Sequence, residues 1–445
     1  MAGKNQDLHL LTATELVPAA VEGSVTAVEI ARACLARVAA RDAEVGAFQY
    51  IDPDYVLSQA ARLDEARVNG KSLGPLHAIP VALKDIIDTN DMPTENGLQH
   101  DQGRRARDAS IVRKLRAAGA IVFGKTTTTE GAYYQPTRTR NPHNPAFTPG
   151  GSSAGSAAAV ADFMVPLAVG TQTNGSVIRP ASFCGVVGFK PGFGQIARTG
   201  ILKVAPSLDQ VGTFARSIAD AALLADVLVG EDGVDESVVP APSPKFLKTA
   251  EGKVPVEPIF AFIAPPGWED APADAKAAFE ELLEFLGGRV DIVPLPGIYE
   301  ECQKMIRVIM AVEMSQNLGK YAEQAAPISE HLQTIIKEGK TISAHDYLAA
   351  REWQNVLRGG LDEIMRRYDA VLTPSTLGQA PKTLENTGDP RACSLWSFTG
   401  LPSVSLPLLV GGDGMPVGVQ LVGGKGEDGQ LLRTANWLIK ALSNA

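Results

Sequence analysis

Two glycine- and serine-rich segments constrain this chain more than any other feature of its sequence. Residues 150–156 read GGSSAGS and residues 170–176 read GTQTNGS. Both border runs of small or apolar residues, which places flexible loops at the ends of buried elements. A third segment, residues 79–85 (IPVALKD), places Lys84 at the end of an apolar, strand-like run. Two serine-bearing loops and one semi-buried lysine can form a nucleophilic site that needs no histidine.

The order of helical and strand-like segments predicts an α/β fold. Thr12 with Glu15, and Thr26 with Glu29, fit capping boxes that begin two N-terminal helices. A small-residue helix is expected to start at Ser156. Further helices are expected over 110–118 and 217–229, and strands over 79–84, 120–124, 165–170, 370–374, 403–407 and 417–422. This alternation is typical of a central mixed, twisted sheet covered by helices on both faces.

We expect one large domain over residues 1–445 rather than separable modules. Its core would comprise about 74–215 together with C-terminal strands in 369–435. The Pro-, Asp- and Val-rich stretch 230–258 reads as a surface connection. Residues 270–367 are mainly helical by pattern, with a break near 339–341, and are expected to lie over the site.

Composition excludes several classes of protein. The 445 residues carry a formal charge of −9 and no long Lys/Arg run, which argues against a nucleic-acid partner. No stretch approaches the ~18 apolar residues of a membrane span, and residues 1–7 lack a signal-peptide pattern. The cysteines are scattered and the histidines show no paired metal spacing, so we expect no metal or cofactor. We also expect the thiols to be reduced and the protein to be cytoplasmic. A homodimer is left open. The four cysteines are Cys34, Cys184, Cys302 and Cys393.

Segments spread over the whole chain resemble the amidase signature family. The resemblance rests on residues 150–153, 170–176, 184–191 (CGVVGFKP) and Lys84. Residues 207–212, 400–404 and 414–420 resemble the family as well, so the similarity runs from about 14 to 435. Only the central helical region resembles the family weakly.

The resemblance implies a Ser–cis-Ser–Lys catalytic unit. Position by position, it falls on Ser176 as the nucleophile, Ser152 as the bridging serine and Lys84 as the base. It also implies a cis peptide bond before Ser152. Backbone N–H groups would form an oxyanion hole, and two hydroxyls would support the unit through hydrogen bonds. The oxyanion residues are Thr173, Asn174, Gly175 and Ser176, and the supporting residues are Thr171 and Ser153.

The chain departs from the commonest family loop, TDTGGS, at two positions. Gln172 stands in place of the aspartate and Asn174 in place of the first glycine. Asn174 would either add a polar contact near the oxyanion or occupy a positive-φ turn. Arg179 is displaced by one position, as in the malonamidase-like branch, and would either bind a substrate carboxylate or hold loops together. Our candidates for substrate contact are Arg179, Tyr133 and Gln172, and Tyr134, Phe193 and Trp396 are further aromatic candidates.

These observations predict an amidohydrolase that cleaves a small-molecule amide through a Ser176 acyl-enzyme. Carbamates, ureas and esters form similar tetrahedral species, so a carbamate (urethane) hydrolase is the main alternative. A transamidase subunit that supplies ammonia for tRNA-linked amidation and a non-catalytic binding module are two further alternatives. Residues 151–155 also match Gly-x-Ser-x-Gly, with Ser153 as nucleophile. That interpretation requires a strand directly before the motif, and the proline-containing stretch 144–149 argues against one.

Overall fold

One large mixed sheet organises the protein. A computed structural model describes residues 7–98, 103–323 and 328–443. Eleven strands form the sheet in the order β1-β3-β2-β4-β6-β5-β10-β11-β9-β7-β8. Their bounds are β1 Phe48–Tyr50, β2 Pro80–Lys84, β3 Ile121–Thr126, β4 Leu167–Gln172, β5 Val187–Lys190, β6 Gln210–Ala215, β7 Phe260–Phe262, β8 Val290–Ile292, β9 Ala370–Pro374, β10 Ser403–Val410 and β11 Pro416–Val422.

The parallel part of the sheet brings two functional segments to one edge. Strand β2 pairs in parallel with β3 on one side and with β4 on the other. Lys84 is the last residue of β2, and Gln172 is the last residue of β4. Because parallel strands end at the same edge, Lys84 lies beside the loop that follows β4. Antiparallel pairing of β6 with β4 and β5 then connects this region to the C-terminal half of the sheet.

Helices flank the sheet. Thr12 and Thr26 each form the predicted capping box, with Glu15 and Glu29 respectively. The helices are α1 Ala13–Glu22, α2 Ala27–Val45, α3 Pro53–Val68, α4 Ser110–Ala117, α5 Ala154–Ala161, α6 Ile178–Cys184, α7 Ile218–Leu228, α8 Phe246–Glu251, α9 Ala273–Leu286, α10 Glu301–Ala322, α11 Glu330–Gly339, α12 Ala344–Met365, α13 Arg391–Phe398 and α14 Asp428–Ser443.

Small residues allow helix α5 to pack deep in the core. A Cβ atom at Gly155 would lie 2.2 Å from the carbonyl oxygen of Ala47, so only glycine fits there. Ser156 donates a hydrogen bond to the carbonyl of Val169 on β4 at 3.0 Å. These contacts hold the first turn of α5 against the sheet, and with it Ser152, which lies two residues before the helix begins.

The predicted α/β architecture is confirmed, as are the helices and strands expected from periodicity, with boundaries that shift by a few residues. The predicted elements did not include strands β1, β5, β6, β7 and β8 or helices α3, α6, α8, α13 and α14. The missed strands are only three to six residues long, which is too short to show a clear period. Helix α8 lies within the stretch expected to be a surface connection, and β8 interrupts the largely helical region 270–367.

Among the described residues, no helix is long and apolar enough to cross a membrane. Within the same ranges, no group of three His, Cys, Asp or Glu side chains is placed to hold a metal ion.

Candidate active site

Lys84 is completely buried at the end of β2. Its Nζ lies 2.6 Å from Ser152 Oγ and 3.0 Å from Thr171 Oγ1. Burial lowers the pKa of Lys84 from 10.5 to about 7, while the charge of Asp209 opposes this shift and that of Arg179 adds to it. A buried amine with a pKa near neutrality is available in its neutral, proton-accepting form.

Ser152 occupies the special backbone position that the resemblance implies. The peptide bond between Gly151 and Ser152 is cis. The Ser152 carbonyl accepts a hydrogen bond from Thr129 N at 3.3 Å, and the Gly151 carbonyl accepts one from Arg179 Nη2 at 2.8 Å. These two contacts hold the backbone on both sides of the Ser152 hydroxyl, which faces Lys84.

Ser176 lies in the turn between β4 and α6 and remains 9% exposed. Among the described residues, its hydroxyl makes no hydrogen bond, and the structure shows none between Ser176 and Ser152. The backbone N–H groups of residues 173–176 donate to no other described residue either. The loop therefore presents one serine hydroxyl and four unused N–H donors in one short stretch, as an oxyanion site requires.

Thr171 and Ser153 both support the loops around this site. Thr171 accepts the second hydrogen bond of Lys84. The Ser153 hydroxyl is fully buried, donates to the carbonyl of Thr171 at 3.2 Å and accepts from its N–H at 3.3 Å. Ser153 thus ties the first loop to β4. No strand lies directly before residue 153, since residues 127–152 contain none, and the Gly-x-Ser-x-Gly pattern therefore does not form a strand–turn–helix nucleophile elbow.

Gln172 makes contacts other than those we expected. Its Oε1 accepts from Val177 N at 2.8 Å and Ile178 N at 2.9 Å, and its Nε2 donates to Ser397 Oγ at 2.8 Å. The side chain is fully buried, so these internal bonds occupy it. The geometry therefore corrects our expectation of substrate contact: Gln172 holds the start of α6 against α13.

Asn174 is not in the positive-φ region, which removes the turn interpretation of this residue. Instead, its Oδ1 accepts from Ser394 Oγ at 2.8 Å, and its carbonyl accepts from Ser397 Oγ. Both serines lie on α13. The structure thus agrees better with a polar contact of Asn174. The side chain makes that contact with Ser394 of α13, however, where we had expected one near the oxyanion.

Arg179 connects the two loops and keeps part of its donor capacity unused. Nη2 donates to the Gly151 carbonyl and, at 3.3 Å, to Thr387 Oγ1. The side chain is buried, yet Nε and Nη1 have no hydrogen-bond partner. Burial lowers the pKa of Arg179, and nearby Tyr134 and Asp389 counteract this. Arg179 therefore holds a loop, and two of its nitrogens, Nε and Nη1, donate to no protein acceptor.

Two of the four aromatic candidates line a cavity of about 260 Å³ beside Asn174. Tyr133 and Tyr134 meet there with their ring centroids 4.5 Å apart. Burial raises the pKa of Tyr133 to about 12, so it is a neutral phenol. The other two aromatic candidates lie elsewhere: Phe193 lines a separate cavity, and Trp396 is buried in the core. The other lining residues of the first cavity include Ile306, Arg307 and Met310 of α10, Ile335 of α11 and Asp389.

Several supporting residues were missed at the level of sequence. Asp209, Ser394 and Ser397 hydrogen-bond the loop of residues 172–176 from elements that follow it in the chain. Asp209 belongs to a segment that supported the family resemblance, which was the one available signal. The two serines, three residues apart on α13, carried no pattern that separates them from ordinary core residues.

Comparison with known proteins places this arrangement in a family. The amidase family profile matches residues 29–432. A glutamyl-tRNA(Gln) amidotransferase subunit from Symbiobacterium thermophilum is 35% identical, over 96% of both chains. The solved peptide amidase from Stenotrophomonas maltophilia is 28% identical with a TM-score of 0.84, over 96% of both chains. A 6-aminohexanoate cyclic dimer hydrolase is 25% identical with a TM-score of 0.86, over 98% of both chains.

The fold and the matched length define a hydrolase with a single α/β domain that acts on C–N amide bonds. The chain belongs to the amidase (amidase signature) family. The family resemblance drawn from residues 150–153, 170–176 and Lys84 is thereby confirmed.

Proposed function

We propose that this protein is an amidohydrolase that cleaves a small-molecule amide through an acyl-enzyme on Ser176. In this proposal Ser152 relays protons and Lys84 is the base. The observation that carries it is the 2.6 Å contact between Lys84 Nζ and Ser152 Oγ at a fully buried lysine. A lysine in that state can accept a proton at neutral pH, as a serine nucleophile requires.

Acylation would begin with attack of Ser176 Oγ on the amide carbonyl carbon. The Ser176 proton passes to Ser152 Oγ, whose own proton passes to neutral Lys84. The oxygen of the tetrahedral intermediate accepts hydrogen bonds from the unused N–H groups of residues 173–176. Loss of one such donor typically costs ~10²–10³ in rate. The substrate C–N bond then breaks, and the leaving amine takes a proton back through Ser152.

Deacylation would repeat the same steps with water in place of the serine hydroxyl. Water gives a proton to the Ser152–Lys84 pair and attacks the acyl carbon, and the ester bond to Ser176 Oγ breaks. The relay returns the proton to Ser176. The net reaction consumes one amide and one water and releases one carboxylic acid and one amine. Carbamates and esters pass through a similar intermediate, and a carbamate hydrolase is the main alternative.

The substrate is proposed to be small and to carry a carboxylate. The cavity beside Asn174 has a volume of about 260 Å³, smaller than the usual range for drug-sized ligands. Buried Arg179 keeps the N–H groups of Nε and Nη1 without a protein acceptor, and a substrate carboxylate oxygen is an acceptor that a guanidinium N–H suits, as in the malonamidase-like branch. Tyr133, a neutral phenol at the same cavity, is available to donate a hydrogen bond.

A second candidate function follows from the curated relatives. Chains named as glutamyl-tRNA(Gln) amidotransferase subunits match nearly the whole length of this protein. In that role, this chain would release ammonia from an amide donor for use by partner subunits. Gln172 and Asn174, which depart from the commonest family loop, support the independent hydrolase over this second role. Four buried free cysteines support a reducing, cytoplasmic setting for either function.

The test is hydrolysis of a panel of malonamate-like acids, neutral small amides, anilides, carbamates and glutamine. Wild type would be compared with Ser176→Ala, Ser152→Ala and Lys84→Ala, with release of ammonia or amine as the readout. We expect turnover by wild type and loss in all three variants. Glutamine turnover that requires added partner subunits would favour the second candidate.

Ser153→Ala is the matched control for the serine variants, because it removes a hydroxyl in the same loop that lies outside the proposed relay. Because Ser153 ties this loop to β4, we expect Ser153→Ala to reduce turnover without abolishing it, unlike the three relay variants. Activity that persists in Ser176→Ala and disappears in Ser153→Ala would refute the proposed mechanism.

A further inference from the structure

Asp209 makes an unusual set of contacts directly before strand β6. Its carboxylate accepts a hydrogen bond from Thr173 Oγ1 at 2.6 Å. It also accepts from Val204 N at 2.9 Å and Ala205 N at 3.0 Å. One carboxylate thus joins the residue that begins the oxyanion loop to a segment with no regular secondary structure. A hydroxyl–carboxylate bond is charge-assisted and stronger than one between neutral groups.

Thr173 is the point at which the loop leaves strand β4. Beyond it, the loop is held by α13, through the contacts of Asn174 with Ser394 and Ser397. At its start, the side-chain anchor among the described residues is Asp209. The N–H groups of residues 173–176 have no protein acceptor within the described ranges, so they do not hold the loop themselves. Their direction therefore depends on these side-chain anchors.

The segment that carries Asp209 is itself attached to the helical cover. Glu313 of α10 is buried and accepts hydrogen bonds from Ser207 N at 2.9 Å and from Ser207 Oγ. The same carboxylate accepts from Tyr347 OH of α12 at 2.7 Å. Asn317 of α10 donates to the Val204 carbonyl at 3.4 Å. Helix α10 also lines the 260 Å³ cavity, so one helix contacts both the cavity and the segment behind the loop.

We infer that Asp209 is a positioning residue: it aims the oxyanion donors through Thr173, and Glu313 fixes the Asp209 segment to α10. The inference rests on the proposed role of Ser176 and residues 173–176. Displacement of oriented groups by about 1 Å can cost ~10² in rate. Since the donors act on charge that develops in the transition state, misplacement lowers kcat and leaves KM nearly unchanged.

The test compares kcat and KM of Asp209→Asn, Thr173→Val, Thr173→Ser and the double variant Asp209→Asn/Thr173→Val on the best panel substrate. We expect kcat to fall about 10- to 100-fold in Asp209→Asn and Thr173→Val, with KM changed less than about threefold. Thr173→Ser keeps the hydroxyl and should retain most of kcat. The double variant should lose no more than the larger single loss, because both changes break the same bond.

Asp220→Asn is the control matched in contacts. Asp220 also accepts from two backbone N–H groups and one threonine hydroxyl, those of Ala13 and Thr14, at 2.9 Å each. It joins α1 to α7, and its loss should lower stability without lowering kcat.

The inference is overturned if Thr173→Val retains wild-type kcat, if Thr173→Val and Thr173→Ser are equally impaired, or if the losses in the double variant multiply. If Asp209→Asn fails to fold, the kcat values of Thr173→Val and Thr173→Ser alone test the inference. Ser176→Ala separates the two proposals. Its continued activity would refute the proposed function, whereas its inactivity beside a fully active Thr173→Val would refute this inference alone.

Discussion

Replacing Lys84 with methionine should abolish turnover and make the folded protein more stable at neutral pH. Lys84 is fully buried, and both of its hydrogen-bond partners are uncharged hydroxyls. Its surroundings therefore compensate little for the loss of water around an ammonium group. Methionine is a flexible apolar side chain of similar length that fills such a space without a charge.

The expected size of this effect follows from the pKa of Lys84. A decrease from 10.5 to about 7 corresponds to roughly 5 kcal/mol, at about 1.4 kcal/mol per pH unit. Methionine removes this cost and loses two hydrogen bonds, each contributing about 1 kcal/mol. Lys84→Met should thus be more stable than wild type by roughly 3 kcal/mol at pH 7.

The sign of the pH dependence is fixed by linkage. Because the pKa of Lys84 is lower in the folded state, the unfolded chain binds the proton more tightly. The contribution of Lys84 to wild-type stability is most favourable above pH 10.5, decreases as the pH falls, and is lost fully below about pH 7. The methionine variant has no such dependence. Its advantage should therefore shrink by about 1.4 kcal/mol for each pH unit above 7.

Urea unfolding of both proteins between pH 7 and 9.5, followed by circular dichroism, measures this difference. Lys190→Met is the matched control, since Lys190 is also fully buried with a pKa of about 7 and lies on β5. It should show a similar pH slope and keep its turnover. A stability difference between Lys84→Met and wild type that is constant from pH 7 to 9.5, or a less stable Lys84→Met at pH 7, would refute the reasoning.

Three further predictions test the site and the fold. The kcat/KM of wild type should rise with pH and reach half its maximum near pH 7, as Lys84 becomes neutral; a flat pH–rate profile from pH 5 to 9 would contradict this. Arg179→Met should lower kcat/KM at least tenfold more for carboxylate-bearing amides than for neutral amides, and equal losses would assign Arg179 to loop support alone. Thr26→Ala should cost about 1 kcal/mol in urea unfolding with unchanged turnover, because it removes only the cap of α2.

The local features of this site could be predicted from the sequence. The apolar run before Lys84 and the small residues after Ser152 are short-range patterns, and they indicate a strand and a buried helix without knowledge of the rest of the chain. The same holds for the capping boxes at Thr12 and Thr26. Short strands such as β8 escaped prediction, because three residues are too few to show a period.

Contacts between distant parts of the chain were beyond such reasoning. Gln172 reaches Ser397, 225 positions away, and this partner makes it an internal support where we had expected a substrate contact. The sequence left two roles open for Arg179. The structure shows both its loop-holding bond to Gly151 and its two nitrogens without a hydrogen-bond partner.

The sequence by itself determined which residue types stand at the ends of which elements: a lysine at the end of β2, a serine before α5 and a serine after β4. Only the tertiary structure decided that β2 pairs with β4 and that α5 packs on β4. As a result, Lys84 Nζ and Ser152 Oγ lie 2.6 Å apart. It also decided the charge state of Lys84, since the pKa of an amine depends on how much water the folded chain excludes from it. Elements from distant parts of the sequence exclude water from Lys84 together, so no local stretch of sequence predicts its pKa.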